Sequence, residues 1–236
     1  LELRSAIAER YAVKAGCVAV GNGAADLIYR IVFALRFKNG LVVVPTFSEY
    51  ARALHYIGAK VDFFVTGAEK NFQVSVNELI ARAEGHDIVF LCNPNNPTGQ
   101  MLCKRDLKFL RKELCRKKVK LILDESFIDW REDESMVHEA VRSEDLVVIR
   151  SMTKFFGLAG LRLGYLVGER DVVRRVHDCG QPWPVNVVAQ TVGIGLLRDT
   201  ALALKSRERL ITERDYLHRQ LCQFRGLNVY PAQANF

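Results

Sequence analysis

A lysine and an arginine eight residues apart, Lys154 and Arg162, sit in a small, apolar stretch, Ser151-Met152-Thr153-Lys154-Phe155-Phe156-Gly157-Leu158-Ala159-Gly160-Leu161-Arg162-Leu163-Gly164-Tyr165. Two cations in such surroundings are placed for chemistry more than for solubility. Thirty residues before Lys154, the run Leu121-Ile122-Leu123 ends on Asp124. A carboxylate at that place is costly to bury charged unless a partner meets it. Further upstream, Asn93-Pro94-Asn95-Asn96-Pro97-Thr98-Gly99 leaves another apolar run. Pro97 restricts Asn96 to extended backbone, so its amide is aimed and not mobile.

Each of these motifs follows a strand-like run, and the runs alternate with helical patterns. Strands are predicted at Val18–Val20, Leu41–Val44, Val61–Val65, Ile88–Leu91, Lys120–Leu123, Leu146–Ile149 and Leu163–Val167. Helices are predicted around 24–35, 49–56, 76–83, 107–115, 172–178, 187–197 and 201–224. Short apolar strands separated by helices imply an α/β fold with a mostly parallel central sheet covered by helices on both faces. In such sheets ligands gather at the carboxyl ends of the strands. An amine, an acid at a strand end and an amide loop are what an enzyme holding a pyridoxal ring needs.

The remaining parts of such a site have candidates. Small residues in Gly21-Asn22-Gly23-Ala24-Ala25-Asp26 would let the amides of a helix start approach a phosphate, although a plain turn and cap fits this motif alone equally well. Asp26 stands where a dinucleotide fingerprint has its third glycine. Tyr50, in Pro45-Thr46-Phe47-Ser48-Glu49-Tyr50, is read as stacking over an aromatic ring, with a core tyrosine as the alternative. Asp124 would pair with a protonated pyridine nitrogen and keep the ring an electron sink. Lys154 would form the Schiff base, for which its amine must shed a proton. Ser151 and Arg162 would close the phosphate site with the turn at Gly23.

Composition excludes several classes. Among 236 residues, 49% are hydrophobic and 26% charged, and no apolar run reaches the roughly 20 residues of a membrane helix, so no membrane partner is expected. The net charge of +7 comes largely from residues 104–120, read as the solvated face of a helix; no aromatic residues interleave with them, so nucleic acid is not an expected partner. Six cysteines without a C-x-x-C pair point to a reducing, cytoplasmic setting, and five histidines without ligand spacing give no metal site. Ser151-x-x-Lys154 also matches the serine motif of penicillin-binding enzymes, but the S-D-N and K-T-G companions are missing.

Through S-x-x-K…R and N-P-x-N-P-T-G, and along nearly its whole length, the chain resembles the pyridoxal-phosphate aminotransferases of fold type I, class I/II. That resemblance implies pyridoxal 5'-phosphate as cofactor, with Lys154 as the Schiff-base lysine and Asp124 on the pyridine nitrogen. Asn96 would face the ring 3-oxygen and the substrate, Tyr50 the ring, and Gly23, Ala24, Ala25, Ser151 and Arg162 the phosphate. It also implies a homodimer and a small anionic phosphorylated substrate. Within the family the chain is most similar to the branch of histidinol-phosphate aminotransferases and threonine-phosphate decarboxylases. Phe127, where aminotransferases usually carry a tyrosine, and Pro182-Trp183-Pro184-Val185-Asn186 resemble the decarboxylases, which act in cobalamin biosynthesis.

Two units are expected: a cofactor-binding large domain over 1–180, and long helices over 181–236 leading into part of a small C-terminal domain. Leu1-Glu2-Leu3-Arg4 reads as the middle of an amphipathic helix and Ala234-Asn235-Phe236 as the approach to a strand, so the chain is expected to be a fragment. Family members supply a carboxylate-binding arginine from a C-terminal segment and substrate-covering residues from an N-terminal arm. An inactive fragment lacking both is therefore an alternative to decarboxylase and aminotransferase.

Overall fold

The computed structural model describes residues 2–236. Helix α1 (Glu2–Arg10) precedes β1 (Val18–Asn22), α2 (Gly23–Leu35), β2 (Asn39–Val44), α3 (Glu49–Tyr56) and β3 (Lys60–Val65). Next come α4 (Val76–Arg82), β4 (Ile88–Cys92), α5 (Lys104–Arg116), β5 (Lys120–Asp124), a 3-10 helix (Ile128–Glu134), α6 (Val137–Ala140) and β6 (Leu146–Ser151). The chain continues through β7 (Leu163–Gly168), α7 (Arg170–Asp178), α8 (Val187–Arg198) and α9 (Thr200–Leu221). The seven strands form one sheet in the order β1-β7-β6-β5-β4-β2-β3, with β7 antiparallel to both neighbours and the other pairs parallel.

Strand residues alternate between two cores, as a pleat of period two requires. Leu121 and Leu123 of β5, with Leu146 and Val148 of β6, face α1, α4, α5, α6 and α8. Ile122, Val147 and Ile149 face α2, α3 and α7. Strands buried on both sides read as unbroken apolar runs, which is why β4 (Ile-Val-Phe-Leu-Cys) has no polar residue. The basic run falls on α5, which buries Leu107, Leu110 and Leu114 and turns Lys108, Arg111 and Arg116 outward to Glu139, Asp145 and Glu113.

Part of the expected organisation differs in the structure. The packing does not change at residue 180: Val185, Ala189 and Leu197 belong to the same core as Leu3 and Ile7 of α1. The change comes one helix later, where α9 bends 78° from α8 and keeps a single buried residue, Ala203. Near the end of the chain, Gln233 donates its backbone N–H to Gly99 at 2.8 Å, and Gln100 Nε2 donates to the Pro231 carbonyl at 2.7 Å. The expectation for Leu1 lies outside the described residues. Among the described residues no single helix is long and apolar enough to cross a membrane, although α8 and α9 pass that test as a bent pair.

Candidate active site

Asp124 closes β5 in register with Cys92 of β4 and Ile149 of β6, on the face shared with α2 and α3. It is 3% exposed. The Ser126 backbone N–H donates to Oδ1 at 2.8 Å and the Tyr50 hydroxyl to Oδ2 at 2.7 Å. Burial pushes the Asp124 carboxyl above its ordinary range; the Ser126 and Tyr50 hydrogen bonds and the Lys154 charge oppose that and do not overcome it. A buried acid with a raised pKa beside a hollow is a marker of function. Burial also raises its neighbour, the Cys92 thiol, to about 12, so Cys92 acts as a small apolar wall.

Lys154 comes from the turn after β6. Met152 N–H donates to the Leu163 carbonyl and Gly157 N–H to that of Lys154, at 3.0 and 3.1 Å, which pins the turn on both sides of the lysine. Ser151 Oγ and Thr153 Oγ1 lie 2.6 Å apart at its root. The lysine itself is exposed, with Nζ 5.7 Å from the centre of the Phe127 ring.

The far end of the hollow is built for an anion. Helix α2 begins at Gly23 with no side-chain cap, and Ala24 and Ala25 of its first turn, whose amides lack intrahelical partners, line the hollow. Gly23 has φ +83°, and a Cβ there would lie 2.7 Å from Arg162 Nη2, so only glycine lets the guanidinium reach the helix start. Gly164 allows a second close approach, since its Cβ would lie 2.5 Å from the Ala24 nitrogen. Arg162 has left-handed backbone (φ 56°), uncommon for a side-chain-bearing residue, and it donates Nη1 to the Ala159 carbonyl at 2.9 Å.

The amide loop divides its asparagines between two tasks. Asn93 exchanges hydrogen bonds with Leu102, at 3.0 and 2.7 Å. Asn95 donates to the Pro45 carbonyl and to Thr98, and accepts from Thr46, at 2.8–2.9 Å. Asn96 makes no side-chain hydrogen bond among the described residues and lines the hollow.

Asp124, Lys154, Asn96, Tyr50, Ala24, Ala25, Ser151 and Arg162 thus surround one hollow, with Gly23 beside it against Arg162. It encloses about 80 Å³, against about 600 Å³ for a groove between α1, α6 and α8, so chemistry and not size singles it out. Tyr50 does not take the ring-covering position. It is 1% exposed, its ring stacks on Phe90 (5.2 Å, 13°) and its hydroxyl is spent on Asp124. Phe47, three residues earlier and 37% exposed, is the aromatic wall with a free side. The helical spacing of Tyr50, Ala53 and Leu54 on one buried face carried that distinction. Phe47, Cys92, Ser126 and Thr153 complete the lining.

Directly behind the site, on the other face, Arg150 is fully buried among acids. Its guanidinium meets Glu125 at 3.3 Å, Asp129 at 3.0 Å and Glu132 at 3.1 Å, and lies 5.5 Å from the Tyr11 ring centre. Arg10 and Arg207 reach Glu132 from the outside, at 3.8 and 3.4 Å. Burial raises Glu125 to about 7 despite Arg150, whose charge is shared among three carboxylates.

A buried carboxylate facing an exposed amine across a hollow, with amides and a guanidinium at one end, fits an aromatic cation bearing a phosphate. Among the described residues no group of three or more His, Cys, Asp or Glu is placed to hold a metal ion. The family profile described as Aminotransferase class I and II matches residues 1–236. The threonine-phosphate decarboxylase of Salmonella typhimurium is 35% identical over 99% of this chain and 65% of its own length. The histidinol-phosphate aminotransferase of Clostridium kluyveri is 34% identical over 93% of this chain and 62% of its own. The crystal structure of the histidinol-phosphate aminotransferase from Clostridium acetobutylicum superimposes with a TM-score of 0.90 at 28% identity, covering 98% of this chain and 69% of that one. The chain therefore spans somewhat less than two thirds of the length of the curated relatives it matches. With the match complete along the chain and the hollow built for such a ligand, the protein belongs to the class I and II aminotransferase family, whose cofactor is pyridoxal phosphate.

Proposed function

We propose that the protein holds pyridoxal phosphate in this hollow and decarboxylates a small phosphorylated amino acid, L-threonine O-3-phosphate, as a step of cobalamin biosynthesis. The observation that carries the cofactor site is the pairing of buried Asp124 with Lys154 across one hollow that ends on the Ala24 and Ala25 amides and Arg162. When bound, the cofactor supplies an electron sink for the bonds at the substrate α-carbon. Asp124 would hold the pyridine nitrogen in its protonated form, through a charge-assisted hydrogen bond in a dry place. Lys154 would anchor the cofactor aldehyde, and its amine stands where it could pass a proton to and from the substrate α-carbon. Ser151, Arg162 and the start of α2 would bind the phosphate, Asn96 would donate to the ring oxygen, and Phe47 would cover one side.

Decarboxylation is favoured over transamination by two features. Phe127 lines the hollow without a hydroxyl, so the ring oxygen has one donor fewer. Pro182-Trp183-Pro184 is similar to the decarboxylase form of that loop, and the Salmonella relative bears the decarboxylase name. A homodimer is part of the same proposal: Trp183, at 92% exposed, and exposed Val187 and Val188 a few residues on along the chain offer apolar side chains to a partner copy. The test is incubation with L-threonine O-3-phosphate and pyridoxal phosphate. Carbon dioxide release without a keto-acid acceptor supports decarboxylation. Amino transfer from histidinol phosphate that requires 2-oxoglutarate would replace it with the aminotransferase reading, for which the Clostridium kluyveri relative speaks.

A further inference from the structure

The turn that carries Lys154 is gripped from outside the hollow. Phe155, the next residue, is nearly fully buried, with the Trp130 ring edge-on at 4.5 Å and Phe156 at 5.0 Å. Arg207 of α9 covers it, with Cζ 5.8 Å from the ring centre. The same guanidinium donates Nε to the Asp129 carbonyl at 2.6 Å and Nη2 to Glu132 at 3.4 Å. One cation on α9 therefore touches both the neighbour of the lysine and the 3-10 helix that follows Asp124 on the chain. Among the described residues, these are the side-chain hydrogen bonds that tie α9 to the sheet unit, and α9 buries little else than Ala203.

We propose that Arg207 is a positioning residue: it clamps Phe155 against Trp130 and so fixes where the Lys154 amine stands, making the disposition of α9 felt at the lysine. The cation over the Phe155 ring supplies the grip, and the Asp129 and Glu132 contacts hold that cation in place. Glu132 keeps Arg150 and Arg10 when Arg207 is removed, so the acid cluster does not lose its whole charge balance. The inference rests on Lys154 being the cofactor anchor, and the experiment separates the two.

Arg207→Gln, Arg207→Lys, Phe155→Leu and the Gln/Leu double variant are compared with the unaltered protein. In the cofactor-free protein, labelling of Lys154 by an amine-acylating reagent is measured by peptide mapping, with exposed Lys112 as internal standard. With pyridoxal phosphate, the pH midpoint of the visible band formed at the lysine is read. Arg207→Gln is expected to change relative Lys154 labelling by roughly threefold and to move the midpoint by about half a pH unit. Arg207→Lys restores most of both, and the double variant goes no further than either single change, because one clamp is being removed. Unchanged labelling and an unchanged midpoint in Arg207→Gln, with only a lower melting temperature, overturn the proposal. Should Arg207→Gln not fold, Phe155→Leu decides by the same two readings. A missing visible band in the unaltered protein would sink the cofactor reading, while the labelling arm would still judge Arg207.

Discussion

Two pairs of adjacent residues, Asp124-Glu125 and Arg150-Ser151, send their side chains to opposite faces of the same two strands. Asp124 and Ser151 open on the hollow, and Glu125 and Arg150 close on the buried cluster behind it. On the closed face the charges find fixed partners: Arg150 meets three carboxylates, and Glu125 also accepts from the Ser135 hydroxyl and the Met136 N–H. On the open face a lone buried acid is left with two neutral donors and, across the hollow, an exposed amine. The comparison separates charges that stabilise the fold from charges held for a ligand. The fold tolerates an ill-matched carboxylate at 124 because the cluster one residue away secures the same strand ends.

The sharpest way to break that comparison is on the open face. Lys154→Ala should abolish covalent capture of pyridoxal phosphate and lower turnover by a factor on the order of 10⁴ or more, with stability within about 0.5 kcal/mol of the original. Asp124→Asn should lower turnover by roughly a thousandfold yet leave the cofactor-free protein as stable or more so. The sign follows from its raised carboxyl: the stability it contributes is present below the unfolded value and is lost as pH rises, a loss that a neutral asparagine does not suffer. On the closed face Arg150→Met strands three carboxylates and should cost about 3–5 kcal/mol in urea unfolding. If the Asn variant at 124 loses as much stability as the Met variant at 150, the two faces are not different in kind.

Much of this was readable from the chain, for reasons tied to particular residues. Runs such as Leu121–Leu123 ending on Asp124 mark strands of a doubly covered sheet and the end at which polar groups emerge. The small residues around Gly23 mark a helix start open to an anion, whereas its backbone contact with Gly164 emerges only in the fold. The Arg150 cluster was not readable. Two of its acids lie in Asp129-Trp130-Arg131-Glu132, which looks like a solvated turn, the third, Glu125, follows the site's own Asp124, and Tyr11, Arg10 and Arg207 come from outside the sheet, on or beside α1 and on α9. The Pro182-Trp183-Pro184 break resembles a domain boundary, yet α8 returns to the core beside α1 because Val185, Ala189 and Leu197 still have an apolar face to bury.

A subtler test lies in the pH dependence of stability. The folded state keeps the Glu125 proton up to about 7, above the ordinary glutamate range. Its contribution is thus complete below about 4.5 and disappears as pH rises through 7, by about 3 kcal/mol at most. Glu125→Gln should flatten that part of the stability profile, followed by chemical denaturation at a series of pH values; an unaltered slope would place the titration elsewhere. The smallest effect belongs to Phe47→Ala, which should weaken cofactor affinity by about tenfold while leaving the melting curve nearly in place, as expected for a wall and not a core residue. Tyr50→Phe, by contrast, should disturb Asp124 directly, and equal effects of the two changes would blur the distinction between them.

The division of labour among the three loop asparagines has an evolutionary corollary. Asn93 and Asn95 are locked into the frame of the loop, whereas Asn96 owes nothing to it. Selection for a new substrate could therefore explore position 96 without dismantling the scaffold, and a library randomised there should yield folded variants far more often than one randomised at either sibling.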